Sequence, residues 1–340
     1  MSWSAIIIRM NKRQQEILTC VVDRFIDSHQ PISSKMVLDM LSIQLSSATV
    51  RQVFSVLDKN GYVEKLHTSS GRVPTDKGYR VYVDSIKGEG AQIQLDDHVA
   101  DQSYQMKFRY MFDQLLSHVA SKVPYISMLS LNEKALSDIA MIKYVSISSH
   151  YGLVLLFHKV GIVSEHYVRF EQDVSACNID DLIAFLLKLL HSNAGLDGMD
   201  AQFLDQEAHF IRSVFNVIVK SSSVPTVSEK IMMKNVKQCL SLSDYADKQS
   251  VQQLLDVLDD SVVIQRLMNH GLQANQLDVL IGNELNDDRL NSASFISIPI
   301  CLDGIHVACL GILGPSRMDY LSIIQLLSSS ETLAELNQVC

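Results

Sequence analysis

A short run of hydroxyl, amide and guanidinium side chains occupies residues 46–52. Its polar members are Ser46, Ser47, Thr49, Arg51 and Gln52. Hydroxyls can donate to phosphate or base oxygens, an arginine can bridge the two acceptors of guanine, and a glutamine amide can pair with adenine. These residue types at this spacing predict contacts with double-stranded DNA.

These groups can act together only if one helix presents them, and the surrounding residues predict such a helix. Ser46 and Ser47 offer N-cap oxygens to free backbone N–H groups. A buried face follows at helical spacing, made by Val50, Val53, Phe54 and Leu57. Asn60-Gly61 ends the helix, because both residues accept the left-handed conformation of a C-cap. The alternative interpretation is a capped helix start that carries a solvated charge.

A polar hairpin follows this helix. Residues 62–66 alternate like a strand, and residues 67–71 turn the chain back. The turn adds His67, Thr68 and Ser69 as candidate DNA contacts, and Arg72, just past the tip, suits a minor groove or a phosphate. A helix followed by such a wing is typical of a winged helix-turn-helix, whose second helix reads a DNA groove.

The segments before residue 46 complete this domain. Residues 12–28 form an amphipathic pattern, Pro31 interrupts it, and a short helix is predicted from Lys35 to Leu41. Residues 1–90 hold 12 Lys and Arg against 9 Asp and Glu, a net charge of +3, whereas the other 250 residues carry a net charge of −12. A basic end on an acidic chain favours DNA binding by that end. We place the winged-helix DNA-binding domain at residues 1–88.

The remainder predicts an α+β fold. A helix is expected over 102–122, then an antiparallel meander of strands near 144–148, 152–158 and 160–170, then helices over 180–190 and 203–219. Further strands are expected at 277–282, 295–301 and 307–313, with a closing helix from 320 to 339. Strands on both sides of a helical middle predict one α+β domain, residues 89–208 and 276–340, interrupted by an insertion at 209–275.

Motifs at both ends of the chain resemble one family. LSSATVR at 45–51, the segment LDKNGYVEKLHTSSGRVPTDKGYRVYVD that ends at residue 84, IGNE at 281–284 and GILGPSRMDY at 311–320 are similar to the signatures of HrcA, the bacterial heat-inducible transcription repressor family. In that family an asparagine and an acidic residue usually follow the arginine, whereas here Gln52 and Val53 do.

The resemblance implies more than the residues alone do. It implies that the α+β domain is GAF-like and that its insertion is a dimerisation domain. It further implies a repressor of chaperone operons that binds the inverted repeat CIRCE as a homodimer and is modulated by a GroE-type chaperonin.

Other classes of function have little support in the sequence. The six cysteines include no CxxC pair, so we expect reduced thiols and no metal site. No nucleophile, base and oxyanion donors occur together, so we expect no enzymatic activity and no cofactor. No apolar run reaches the ~18 residues of a membrane span. Arg9 follows the short apolar run at 5–8 at once, so no signal peptide is expected, and we predict a cytoplasmic location.

A second function remains open on the residues alone. A net charge of only +3 on the first 90 residues also fits a winged helix that binds protein and serves as an assembly module. The two functions differ in salt dependence. Neutralising phosphates makes affinity fall steeply with salt, whereas protein docking gives a shallow fall.

Overall fold

The structure is a computed structural model of the 340-residue chain. It describes residues 10–41, 45–65, 71–88, 90–95, 104–132, 138–158, 163–191, 203–222, 231–302 and 304–329.

Four helices and a two-stranded wing make up the winged domain, the described residues between 10 and 88. Its elements are α1 (Lys12–Ser28), α2 (Ser34–Met40), α3 (Ser47–Lys59), β1 (Val63–Glu64), β2 (Val73–Pro74) and α4 (Asp76–Ile86). The predicted three helices and wing are confirmed, and α4 is an element that the sequence patterns had not indicated.

Local capping explains why these helices begin where they do. At the start of α1 the Asn11 side chain accepts from the Gln14 N–H at 3.0 Å, and the Gln14 side chain accepts from the Asn11 N–H at 3.0 Å. This reciprocal capping box satisfies two N–H groups that the helix cannot pair. At the start of α2 the Ser33 hydroxyl accepts from the Met36 N–H at 3.3 Å and so caps that helix. Such short-range signals are legible in sequence, and the predicted bounds of α1, α2 and α3 agree with the structure to within one or two residues. The closing helix was predicted over 320–339, but in the structure it ends at Leu327, where serines that favour caps and turns follow.

The chain beyond residue 90 builds two further units. Its elements in order are β3 (Ile93–Leu95), α5 (Tyr104–Lys122), β4 (Ile126–Leu131), β5 (Ile139–Ser148), β6 (Tyr151–His158), β7 (Val163–Arg169), α6 (Ile179–His191), α7 (Asp205–Ser222), β8 (Ile231–Lys234), α8 (Val236–Leu240), α9 (Lys248–Asp259), α10 (Ser261–Gln273), β9 (Asp278–Ile281), β10 (Ala293–Leu302), β11 (Ile305–Pro315) and α11 (Tyr320–Leu327). Three 3₁₀ helices lie at Ser243–Tyr245, Gly282–Leu285 and Asp288–Leu290.

A six-stranded sheet forms the sheet domain, the described residues of 90–132 and 231–329. Its strand order is β3-β10-β11-β4-β8, and β9 also pairs with β10. Neighbouring strands are antiparallel except for β3, which runs parallel to β10. All ten residues of β10 are buried, because helices cover both faces of the sheet.

The two faces of this sheet belong to different cores. Ile296, Ile298 and Ile312 pack with residues of α5 and α11. Phe295 and Leu313 point the other way and pack with residues of α9 and α10. The result is a three-layer α+β domain, and the predicted α+β fold class is confirmed.

A separate three-stranded sheet forms the inserted unit, described residues 138–222. Strands β5, β6 and β7 make the antiparallel meander that alternation predicted. One face of this sheet packs with α6 and α7 in a core of its own, which includes Val154, Leu156, Phe170, Leu186 and Phe210. The chain leaves the sheet domain after β4, forms the inserted unit, and re-enters the sheet domain at β8.

The insertion therefore lies elsewhere than the sequence patterns placed it. We predicted strands 144–170 in the interrupted α+β domain and residues 209–275 in the insertion. In the structure β5–β7 share no sheet with the other strands, and β8 pairs with β4 from Ile231 to Lys234. Helix α10 packs against β10 and β11. Alternating hydrophobicity reveals a strand but not its partner, so the assignment of strands to sheets was beyond the sequence.

Candidate nucleic-acid interface

The first turn of α3 uses two of the predicted hydroxyls for its own cap. The Ser46 hydroxyl accepts from the Thr49 N–H at 3.1 Å and lies 2.8 Å from the Thr49 hydroxyl. This bond satisfies one of the free N–H groups at the helix start. Ser46 and Thr49 thus position the helix, and Ser46 remains exposed beside it.

A continuous solvent-facing stripe runs along α3. Val50, Val53, Phe54 and Leu57 are buried, as the spacing predicted. The opposite face of the helix is exposed, and its residues follow one another at intervals of three or four. They are Ala48, Arg51, Gln52, Ser55 and Lys59. We call these five residues the recognition face. It brings together Arg51 and Gln52, as predicted, whereas Ser47 is half-buried at its margin.

Three members of the recognition face, Ala48, Ser55 and Lys59, were not among the predicted contacts. Ala48 has no long side chain, so a base edge can approach the helix closely there, and Ser55 adds a hydroxyl one turn beyond Arg51. Helical spacing from Arg51 and Gln52 is the signal that would have found them.

Arg72 lies inside the winged domain and not on its surface. The residue is 8% exposed. Its Nη2 lies 3.1 Å from the Asp58 carboxylate on α3, and its guanidinium stacks over the Phe54 ring at 5.7 Å. Its backbone exchanges two 2.9 Å hydrogen bonds with Ile32, just before α2.

This placement corrects the predicted role of Arg72. We predicted that it meets a phosphate or a minor groove, but its charge faces Asp58 and its backbone ties the wing to the segment before α2. Adjacent Gly71 allows the close approach, since a Cβ there would lie 2.3 Å from the Pro31 Cβ. Arg72 is therefore a positioning residue for α3 and the wing. The sequence placed it next to the hairpin tip but could not show which way its side chain turned.

His67, Thr68 and Ser69 lie outside the described residues. At the base of the wing, Glu64 and Lys65 are exposed on either side of the strand end.

Replacing Asp58 with alanine is expected to lower the free energy of unfolding by about 1–3 kcal/mol, because a nearly buried guanidinium loses its carboxylate. Urea unfolding of the full chain measures this. Asp39→Ala, an exposed carboxylate on α2, is the matched control and should stay within about 0.5 kcal/mol of the parent. If Asp58→Ala left stability unchanged and raised DNA affinity, Arg72 would be a DNA contact after all.

A small polar cavity lies apart from the recognition face. It has a volume of about 200 Å³ and is lined by Gln253, Arg289 and Asn291 among others. The Arg289 guanidinium is paired with Asp260 at 2.9 Å and with Asp287 at 2.7 Å. Its charge is thus compensated within the protein, which leaves no single group to select a ligand class. Within the described ranges, no three His, Cys, Asp or Glu side chains are grouped as metal ligands would be.

None of the helices in the described part of the chain is both long and apolar enough to span a membrane.

The fold and the recognition face define a protein of the winged helix-turn-helix class, carried on an α+β domain. A family model, the HrcA protein C terminal domain, matches residues 112–324. The chain belongs to the HrcA family.

Relatives match along nearly the whole chain. The heat-inducible transcription repressor HrcA of Pelotomaculum thermopropionicum is 24% identical over 334 residues, covering 93% of each chain. The protein of the same name from Chromobacterium violaceum is 26% identical over 333 residues, covering 95% of this chain and 97% of that one. A crystal structure of a hypothetical protein is similar with a TM-score of 0.57 and 18% identity over 97% of both chains, a likeness that concerns the fold alone.

Proposed function

We propose that this protein represses transcription of chaperone operons by binding an inverted-repeat operator of the CIRCE type as a homodimer. The observation that carries the proposal is the recognition face of α3, exposed in a chain whose relatives are named heat-inducible transcription repressors. Arg51 and Gln52 supply the bidentate groups that distinguish guanine and adenine in a major groove. Ser47, Thr49 and Ser55 stand near them as hydroxyl donors.

The wing is the second part of the proposed DNA contact. In the sequence, the predicted tip residues His67, Thr68 and Ser69 come shortly after α3 and β1. In winged helices this hairpin reaches a neighbouring groove or the phosphates while the helix reads the bases. The exposed Lys65 at the base of the wing adds a positive charge there.

The dimer is supported by an apolar surface on the inserted unit. The sheet face turned away from α6 and α7 carries Met141, Val145, Tyr151, Leu153 and Tyr167, which we call the outer face. Val145, Leu153 and Tyr167 are paired in register across the three strands. Tyr167 is 64% exposed and Val145 is 48% exposed. The exposed charges of Lys143, Glu165 and Arg169 lie on the same face, beside these apolar side chains. Apolar side chains exposed side by side mark an interaction surface, and a second copy would cover them across a two-fold axis.

A two-fold dimer matches the proposed operator. One winged domain covers few base pairs, so specificity requires two half-sites, and a palindrome mirrors the two-fold axis of the protein. We therefore assign the outer face to the homodimer and the recognition faces to the two half-sites.

Release by heat requires that the binding form lose stability readily. The Tyr79 hydroxyl is buried between the winged and sheet domains and has no hydrogen-bond partner among the described residues. Burial raises the pKa of Tyr79, so the phenol stays neutral there. An unsatisfied buried hydroxyl costs about 1–3 kcal/mol, a large fraction of a typical domain's net stability. Chains that open at this interface or lose their partner expose apolar surface, which is the kind of surface that chaperones bind. A GroE-type chaperonin is therefore the proposed modulator.

Binding of the purified full chain to duplex DNA tests the proposal. Affinity for a CIRCE inverted repeat is expected to exceed that for a scrambled duplex by at least about 1,000-fold at moderate salt. It should fall steeply as salt increases, because phosphate contacts release counterions. Adding chaperonin near the heat-shock temperature should raise the fraction of operator bound.

Three results would contradict parts of the proposal. Equal affinity for repeat and scrambled duplex would remove the repressor function, and a shallow salt dependence would favour a protein-binding module instead. Full operator binding well above the heat-shock range, without any chaperonin effect, would remove the proposed regulation.

A further inference from the structure

Helix α4 belongs to two domains at once. Within the winged domain its Tyr82 hydroxyl donates to Asp23 on α1 at 2.5 Å. Gly78 lies against the Tyr62 backbone, where a Cβ would come within 2.2 Å of the carbonyl oxygen. The other side of α4 packs on β9 and α11 of the sheet domain. A movement of α4 relative to the sheet domain would therefore carry the winged domain with it.

A two-point ion pair holds α4 to the sheet domain. The Arg80 Nε donates to one oxygen of Glu284 at 3.0 Å, and its Nη2 donates to the other oxygen. The same Nη2 also donates to the carbonyl of Val279 in β9. Only 15% of the Arg80 side chain is exposed. A bidentate pair in this setting fixes orientation as well as distance.

Glu284 is itself held in place. Its carboxylate accepts the Ile281 N–H at 2.9 Å, which closes the turn that begins the 3₁₀ helix. The carboxylate is therefore presented to α4 by a rigid turn, and Arg80 docks on a fixed acceptor.

The start of α4 makes a second close approach to the same turn. The Asn283 N–H donates to the Asp76 carboxylate at 3.4 Å. Gly282 has φ +51°, and a Cβ on it would lie 2.0 Å from an Asp76 oxygen. A Cβ there would displace the Asp76 carboxylate from the turn, and the positive φ itself favours glycine. Burial raises the pKa of Asp76, as expected for a carboxyl enclosed between two domains.

Apolar packing joins the same two domains beside these polar contacts. The Tyr79 ring on α4 lies against the Tyr320 ring on α11, with centroids 5.9 Å apart. Tyr320 is fully buried, and its hydroxyl lies 2.7 Å from the Ser294 hydroxyl. One continuous core includes residues of both domains. The winged domain is thus docked on the sheet domain, and its recognition face is exposed in this docked arrangement.

We propose that Asp76, Arg80 and Glu284 are positioning residues that fix the winged domain on the sheet domain and thereby set the half-site spacing that the dimer accepts. The inference rests on the proposed operator binding by a homodimer. If both winged domains are docked rigidly, the two recognition faces stand at one separation and one relative angle. Two half-sites are then bound together only when their spacing on the helical repeat of DNA matches that geometry. Asp76, Arg80 and Glu284 would then increase the specificity for operator spacing without contacting a base.

Operators of altered spacing test this proposal. The probes are one CIRCE half-site, the natural inverted repeat, and repeats whose spacer is lengthened or shortened by about 5 base pairs, half a helical turn. The parent protein is expected to prefer the natural spacing by about 100-fold or more, because only that spacing allows both domains to bind together. Gly282→Ala and Arg80→Lys are expected to reduce this preference to below about tenfold or to move its maximum, since the docked geometry is loosened or displaced. Their affinity for the single half-site should stay unchanged.

A matched glycine provides the control. Gly304 in the β10–β11 turn also has a positive φ, +75°, but a Cβ there meets nothing within 4 Å. Gly304→Ala imposes the same kind of backbone strain without a clash and should keep the parent's spacing profile. Arg80→Lys retains the charge, so it remains informative if Gly282→Ala fails to fold.

The outcomes separate this inference from the proposed function. A parent that shows a sharp spacing preference, kept in full by both variants, would overturn the positioning role and leave the repressor function standing. A parent with no preference for the inverted repeat would overturn both.

Discussion

Val145→Asp combined with Tyr167→Asp is expected to convert the dimer to a monomer and to weaken operator binding by about 100- to 10,000-fold. The two residues lie in one row across the inserted sheet, and both are well exposed in the single chain. In a dimer that covers the outer face, each charge would be buried against apolar surface without a partner. The loss in operator binding follows because two half-sites would then be bound by separate molecules.

The measurements are sedimentation equilibrium and operator affinity at matched protein concentration. Val262→Asp is the control, because Val262 is 72% exposed but belongs to α10 in the sheet domain. That variant should remain a dimer with the parent's affinity. A Val145→Asp, Tyr167→Asp protein that stays dimeric would show that another surface joins the two copies. Single half-site binding should be the same in all three proteins.

Arg51→Ala is expected to cost about 1–3 kcal/mol of operator binding and to relax the base preference at one position of each half-site. Arg51 is exposed at the centre of the recognition face, beside Gln52 and one turn before Ser55. A bidentate arginine–guanine contact is lost with the side chain, and no neighbour on this face can replace it. Arg51→Lys should recover part of the affinity on all DNA but little of the discrimination, because lysine keeps the charge and lacks the planar fork.

Competition between operators with single base changes measures the preference directly. Lys59→Ala is the comparison variant, since Lys59 is exposed on the same helix but lies at its far end. This variant should lose a similar factor of affinity for specific and for random duplexes. Its affinity should also depend less on salt than that of the parent, as expected when a phosphate contact is removed. An equal loss on both duplexes for Arg51→Ala would contradict the base-reading role of Arg51.

The proposed release by heat rests on the stability of the fold and not on a bound ligand. The described part of the chain offers a polar cavity whose Arg289 is paired with Asp260 and Asp287, and its described cysteines are mostly buried. Burial raises the pKa of Cys309 to about 12, so this thiol stays protonated and unreactive. The unsatisfied Tyr79 hydroxyl lowers the stability of the contact between the two domains, and this observation favours release by heat without a ligand.

The sequence determined the elements whose signals are local. Helices α1 to α3 and the wing were predicted, whereas α4 was not; for α3, Ser46, the apolar spacing from Val50 to Leu57 and Asn60-Gly61 each act within a turn or two of the chain. The same is true of the β5–β7 meander, where alternation and short turns identify three neighbouring strands. The candidate recognition residues Arg51 and Gln52 could be named because an exposed position on a helix follows from its buried face.

Only the tertiary structure decided which distant segments meet. Strand β8 joins β4 across about 100 residues, which moved the insertion from its predicted place. Arg72 turned inward because Asp58 and Phe54 happen to face it, which no spacing along the chain records. Residues 80 and 284 lie in motifs about 200 residues apart, and only the folded chain brings Arg80 and Glu284 together as a pair between two domains. Periodicity and capping report short-range backbone geometry. Pairing between domains depends on the packing of the whole chain, and sequence patterns do not show which distant residues come into contact.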